Sequence, residues 1–333
     1  MLKIVAASAM AVALTGCALL PMQAPTLSTL VDLDPASTER TFIVEGLATD
    51  QAGRLYTPDR VSGNVLRIDP RDPKPVVVGR IPERTINGRA TAANGGSLVF
   101  DAQGNLLIAA AGFGEVVRLR ASDLDPARPG TAQTFATGVP GANGITLDRQ
   151  GRIYVSGGGS GTVFRIAPQG GVPEPVVQIE RLTRTLPDGR TQQPIVANGL
   201  AFDAAGVLHV ADTARGAIWR VAFDADGKAQ RPVQWVQDAA LHGADGINFD
   251  NRGRLWVTAN ELNALVWVSP AGEVRTVANN GVGGPLEFPS AVVFVGDVGY
   301  VTNFDVPRRV NLDEGSANTA RGGMGASVLK LRP

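Results

Sequence analysis

The chain repeats itself, and that repetition limits what it can fold into more than any other feature. Gly46-Leu-Ala-Thr-Asp50 leads through a turn at Gly53 to Arg54-Leu-Tyr-Thr57 and then Gly63-Asn-Val-Leu-Arg-Ile-Asp69. The pattern returns at Ser97, Gly144, Gly199 and Gly246, and in degraded form at Ser290, with spacings of 51, 47, 55, 47 and 44 residues. Self-similarity at such a period marks solenoids, propellers or arrays. Within a copy, a short apolar strand (200–202) ends in Asp203, and Asp-Ala-Ala-Gly makes a tight turn. Strands at 207–211, 217–221 and 232–236 follow. Four short strands joined by turn residues make one antiparallel blade. A solenoid would need polar caps at its ends, and none is present. The expectation is an all-β fold: a six-bladed β-propeller of four-stranded antiparallel blades.

Closure of such a ring makes a demand. The last copy stops at Ser327-Val-Leu-Lys-Leu331, which matches the third strand of other copies. Its fourth strand must come from the N-terminal side. Two segments compete for that role, 41–44 (Thr-Phe-Ile-Val, like 134–137) and 29–33.

The first residues carry a different signal. Lys3 precedes an apolar run at 4–14, and Leu14-Thr15-Gly16-Cys17 follows at once. This looks like the lipobox of bacterial lipoproteins, in which the cysteine is acylated before the signal peptide is removed. Residues 1–16 are therefore expected to be a signal peptide, Cys17 the lipidation site, 17–37 a tether and 38–333 the propeller. Ala18 after the cysteine points to the periplasmic face of the outer membrane. Cys17 is the only cysteine, so no internal disulfide can form. No apolar run beyond the N-terminus is long enough to span a bilayer, so membrane association is expected through the lipid alone. The formal charge is zero and no basic stripe with interleaved aromatics occurs, which argues against nucleic acid. The basic clusters Arg80 to Arg89 and Arg181 to Arg190 read as solvated loops. A monomer is expected.

One position in the repeat carries the chemistry. Five residues before the turn aspartate stand Glu45, Gly96, Asn143, Asn198 and Asp245, with Pro289 as the sixth equivalent. In a propeller this position enters the innermost strand at one mouth of the channel, so residues in equal phase face one another. Two carboxylates and two amides brought together repel unless something compensates them. A divalent cation does so, with Glu45, Asn143, Asn198 and Asp245 as its ligands. All-oxygen coordination suits Ca2+; Mg2+ and Mn2+ share the ligand type, and Zn2+ is the least natural alternative because it prefers nitrogen or sulfur. The competing explanation is that each Asn-Gly or Asp-Gly pair is a plain turn. Asp50, Asp101, Asp148, Asp203 and Asp250 read as turn formers with no chemistry.

At these residues the chain resembles the family that unites senescence marker protein (regucalcin), bacterial gluconolactonases and luciferin-regenerating enzyme. The motifs are Val44-Glu-Gly46, Asn143-Gly144, Ala197-Asn-Gly-Leu-Ala-Phe202 and Ala244-Asp-Gly-Ile247. The resemblance implies a catalytic divalent cation at the channel mouth, held by Glu45, Asn198 and Asp245, with Asn143 on substrate or metal. The expected activity is metal-dependent hydrolysis of a small-molecule lactone or ester, with Asp245 as general base or nucleophile. His242 is a candidate for assisting proton transfer, and His209, within a strand, reads as a packed residue. Loops at 80–95, 178–197, 279–289 and 305–325 are expected to select the substrate. The rival expectation is a non-catalytic surface propeller that binds a protein or glycan, with a structural metal or none.

Overall fold

The computed structural model describes residues 25–34, 41–280, 285–305 and 326–332. Cys17, the expected signal peptide, most of the 305–325 loop and residues 281–284 lie outside the described residues.

Six blades of four antiparallel strands form a propeller, and the sheet of blade 1 gains a short fifth strand, Gly130–Thr131, which pairs parallel with Asp72–Arg80. The innermost strands, in chain order, are Ala48–Thr49, Gly95–Phe100, Ile145–Leu147, Leu200–Phe202, Ala244–Phe249 and Pro289–Val295. Three further strands follow outward in blades 1 to 5, as the repeat requires. Strict alternation of side chains along a strand gives each blade two apolar faces. In blade 2, Leu106, Ile108 and Ala110 pack with Tyr56 and Val65 of blade 1. Their neighbours Leu107 and Ala109 pack with Val155 of blade 3. The same arrangement fills the remaining interfaces, and Leu47, Leu55, Val293 and Tyr300 close the last one between blades 6 and 1.

The clasp comes from the earlier of the two competing segments. Thr26–Asp32 pairs antiparallel with Ser327–Arg332, from Thr26 opposite Arg332 to Asp32 opposite Ser327. The propeller thus begins inside the stretch expected to be tether, before residue 38. The other candidate, 41–44, stays with blade 1, where Val44 bridges to Asp59.

The turn aspartates do what their position predicted. Asp250 accepts hydrogen bonds from Arg252 N at 3.0 Å and Arg254 N at 2.9 Å, and from Trp256 Nε1 at 2.8 Å. His209 is fully buried, takes Arg220 Nε at 2.9 Å and packs edge-on against Phe249, so it is a core residue. Burial, then the charge of Arg220, lowers its pKa to about 4. Two of the expected loops contain hairpins, Arg84–Ile86 with Arg89–Thr91 and Arg184–Thr185 with Thr191–Gln192. The first turns on Asn87-Gly88, both left-handed, a pairing that suits a two-residue hairpin turn.

The ring is tightest at its axis. A Cβ on Gly46, Gly144, Gly199 or Gly246 would lie 2.2–2.3 Å from the carbonyl oxygen of Gly96, Asn198, Asp245 or Ser290 respectively. Each of these oxygens belongs to the next blade. The glycine in each pair is therefore required by close backbone approach and not by a turn, since none of the four has positive φ. The contacts also correct the sixth equivalent position. Ser290, not Pro289, presents its carbonyl to Gly246, because the strand register shifts between Pro289 and Ala291. Substituting Ala for Gly199 or Gly246 should cost about 1–3 kcal/mol, as overpacking does, read as a lowered midpoint in denaturant unfolding. The same change at half-buried Gly206, where an added Cβ meets nothing but φ is +83°, tests strain without the clash.

Candidate functional site

Because the leading residues of the inner strands are pressed together, their side chains converge. Glu45, Asn143, Asn198 and Asp245 all line one cavity of about 440 Å³. They come from blades 1, 3, 4 and 5, so the shared phase in the repeat became shared space. Gly96 lines the same cavity from blade 2; a Cβ there would sit 3.7 Å from Glu45 Oε1. The opposite part of the channel is a separate cavity of about 320 Å³, walled by inner-strand residues such as Leu47, Ile145, Ala201 and Val292. Of these two cavities, the one at the mouth is lined by ionisable side chains among the described residues.

Hydroxyls that the repeat did not reveal fix these residues in place. Ser156 Oγ donates to the Asn198 carbonyl at 2.7 Å and accepts from Gly144 N at 2.8 Å. Thr302 Oγ1 and Ser290 Oγ donate to the Glu45 carbonyl at 2.7 and 2.8 Å, which ties blade 6 to blade 1. Asn198 Nδ2 donates to Thr213 Oγ1 at 2.9 Å, and that hydroxyl donates to the Ala244 carbonyl at 2.7 Å. The amide nitrogen of Asn198 is thus engaged by Thr213 and by the Asp245 carboxylate, leaving its oxygen as the atom that could meet a cation. At blade 5 the strand register shifts between Ala244 and Ile247, and such a bulge re-aims a side chain.

Asp245 is nearly buried, and Asn260 Nδ2 donates to its Oδ2 at 3.0 Å. Burial, and next the charge of Glu45, hold its carboxyl well above the usual carboxylate range. Hydrogen bonds from Asn260 and Asn198 and the charge of Arg60 act in the opposite sense. Arg60 was not among the expected site residues. Its Nη1 pairs with Glu45 Oε2, and both groups line the cavity. The sequence signal for Arg60 was weak: it lies outside the shared phase, just beyond the second strand of blade 1.

His242 is not among the residues that line this cavity. It closes the short helical turn Ala239–Leu241. Gly243, at φ +77°, follows it and turns the chain before Asp245. Apolar walls come from Ile195, Phe288 and Phe304. Phe288 and Asn94 both hold left-handed backbone at the cavity, a conformation that costs energy in a non-glycine residue and concentrates at functional sites.

Among the described residues, no three His, Cys, Asp or Glu side chains group as a metal set. The cluster reaches four oxygen donors by counting amides. Two carboxylates and two amide oxygens nevertheless fit a hard divalent cation, and the repulsion that burdens Asp245 is the quantity such a cation would remove.

Fold and mouth together define a six-bladed propeller with an oxygen-lined cavity at one end of its axis. Residues 182–302 match the SMP-30/Gluconolactonase/LRE-like region, so the resemblance carried by the repeated motifs is borne out. The match contains Asn198 and Asp245; Glu45 and Asn143 precede it. No curated protein sequence gives a significant match. Among solved structures, a luciferin-regenerating enzyme superposes with a TM-score of 0.62 at 17% identity, covering 93% of this chain and 95% of its own. A gluconolactonase from Xanthomonas campestris gives 0.56 at 21% identity, covering 92% and 89%. Virginiamycin B lyase from Staphylococcus aureus gives 0.55 at 13%, covering 93% and 99%. At these identities the likeness is one of fold.

Charge on Asp245 opposes the fold, so its contribution to stability is greatest where it is protonated and is lost as pH rises past the ordinary carboxylate range. In chelator at neutral pH, Asp245→Asn should therefore melt above the parent protein. The gap should close as pH falls toward 4, as read by scanning fluorimetry.

Proposed function

We propose that this protein is a divalent-metal-dependent hydrolase of a lactone or ester, held at the cell envelope by a lipid on Cys17. The observation that carries the reading is the meeting of Glu45, Asn143, Asn198 and Asp245 in one cavity at the propeller mouth. The family region and the gluconolactonase and luciferin-regenerating neighbours support a lactonase-like assignment.

Glu45, Asn198 and Asp245 would hold the cation, with Asn143 as a fourth oxygen, and Ca2+ suits the set best. When bound, the cation supplies a Lewis acid for the carbonyl oxygen of the substrate. Asp245 takes a proton from the attacking water, or attacks the acyl carbon itself; burial and the charge of Glu45 raise its carboxyl above the usual carboxylate range, which makes it a better proton acceptor. Asn260 fixes the orientation of that carboxylate through its hydrogen bond to Oδ2. Asn143 and Asn198 position without adding charge. Ile195, Phe288 and Phe304 exclude water from one side of the cavity.

Hydrolysis of sugar lactones and aryl esters by the full chain in detergent should vanish on chelation and return with Ca2+. Asp245→Asn should lower kcat by at least about a hundredfold. Bound metal without turnover over a broad panel would mean that the propeller binds a partner instead. For the anchor, Cys17→Ser should move the protein from the membrane pellet to the soluble fraction; retention in the pellet would remove the lipid from the reading.

A further inference from the structure

The four-oxygen cluster leaves the ion pair between Arg60 and Glu45 unexplained. We propose that Arg60 is an internal competitor for the cation: guanidinium and divalent ion alternate on the Glu45 carboxylate, so Arg60 sets how readily the site fills. The inference rests on reading the mouth as a cation site.

The backbone makes the pairing a built feature. Val44 bridges to Asp59, and Arg60 N donates to the Ile43 carbonyl at 2.8 Å. Asp59 Oδ1 accepts from Ile43 N at 3.1 Å and from Val61 N at 3.1 Å, which locks both segments together. Glu45 and Arg60 therefore start from paired backbone and meet over the channel. The guanidinium carbon lies 5.3 Å from the centroid of the Phe304 ring, so an aromatic wall supports the side chain from the other side. The Arg60 and Glu45 side chains are only 24% and 16% exposed, and water screens their attraction less than it would on an open surface.

Charge around the cavity makes the competition specific. Among the described lining residues, Arg60 carries the positive charge and Glu45, Asp245 and Glu261 carry carboxylates. A dication arriving at Glu45 must take an oxygen that Arg60 holds, or lie beside a like charge; either route weakens its binding. Displaced Arg60 keeps Phe304 as a resting surface and then presents its donors to the cavity.

Calorimetric titration of Ca2+ into the full chain in detergent micelles tests this, comparing the parent protein with R60Q and R60K. R60Q should bind Ca2+ at least tenfold more tightly, while R60K, which keeps the charge, should stay close to the parent. Binding by R60Q where the parent binds none would support the competition in its strongest form. Equal or weaker binding by R60Q overturns the competition and leaves the cation site standing. Absence of heat in all three proteins overturns both. Melting curves recorded alongside report folding, and R60M, whose stem still covers Phe304, gives the same readout if R60Q does not fold.

Discussion

Everything at the functional end of this protein depends on a contact with no side chain on one of its partners. Around the channel axis, Cα atoms of glycines press against carbonyl oxygens of the following blade, with no room for even a methyl group. That approach sets the diameter of the ring where it is narrowest. It also brings each preceding residue within reach of the others. Six blades at a looser spacing would leave Glu45 and Asp245 as separate surface carboxylates with ordinary solvation.

Convergence has an electrostatic cost, and the surrounding residues show how it is managed. Backbone carbonyls at the mouth are covered by hydroxyls from neighbouring strands, as Ser156 does for Asn198 and Thr302 for Glu45. Charge is treated differently. Glu45 is paired with Arg60, whereas Asp245 sits beside amides and resists ionisation. Two carboxylates on a common floor, one compensated and one strained, make a site whose protonation and cation content are linked. Such asymmetry between acidic groups is how one cavity can hold both a charge-balancing ligand and a proton acceptor.

The fold is similar to those of proteins described as a gluconolactonase, a luciferin-regenerating enzyme and a lyase, so the scaffold does not choose a reaction. Among the described residues, the mouth of this chain holds three carboxylates, four amides, one guanidinium and an aromatic wall. Arg60 is the member that the repeat could not supply, because it stands outside the phase shared by the other site residues.

Periodicity determined a great deal here without coordinates. Six copies of a strand-turn-strand pattern specify six blades, because each blade has two apolar faces that only neighbouring blades can cover. Equal phase within those copies selected Glu45, Asn143, Asn198 and Asp245, since rotation about one axis maps equal phase onto equal place. Tertiary structure alone decided which segment clasps the ring, because 41–44 and 29–33 have similar strand character and differ only in where the chain can reach. It decided that Ser290 and not Pro289 holds the sixth position, since a bulge shifts register without leaving a mark in composition. It left His242 outside the lining of the cavity and joined Arg60 to Glu45 across a bridge of paired backbone. Local pattern fixes phase, but contacts between unrelated phases arise only when the chain is closed in three dimensions.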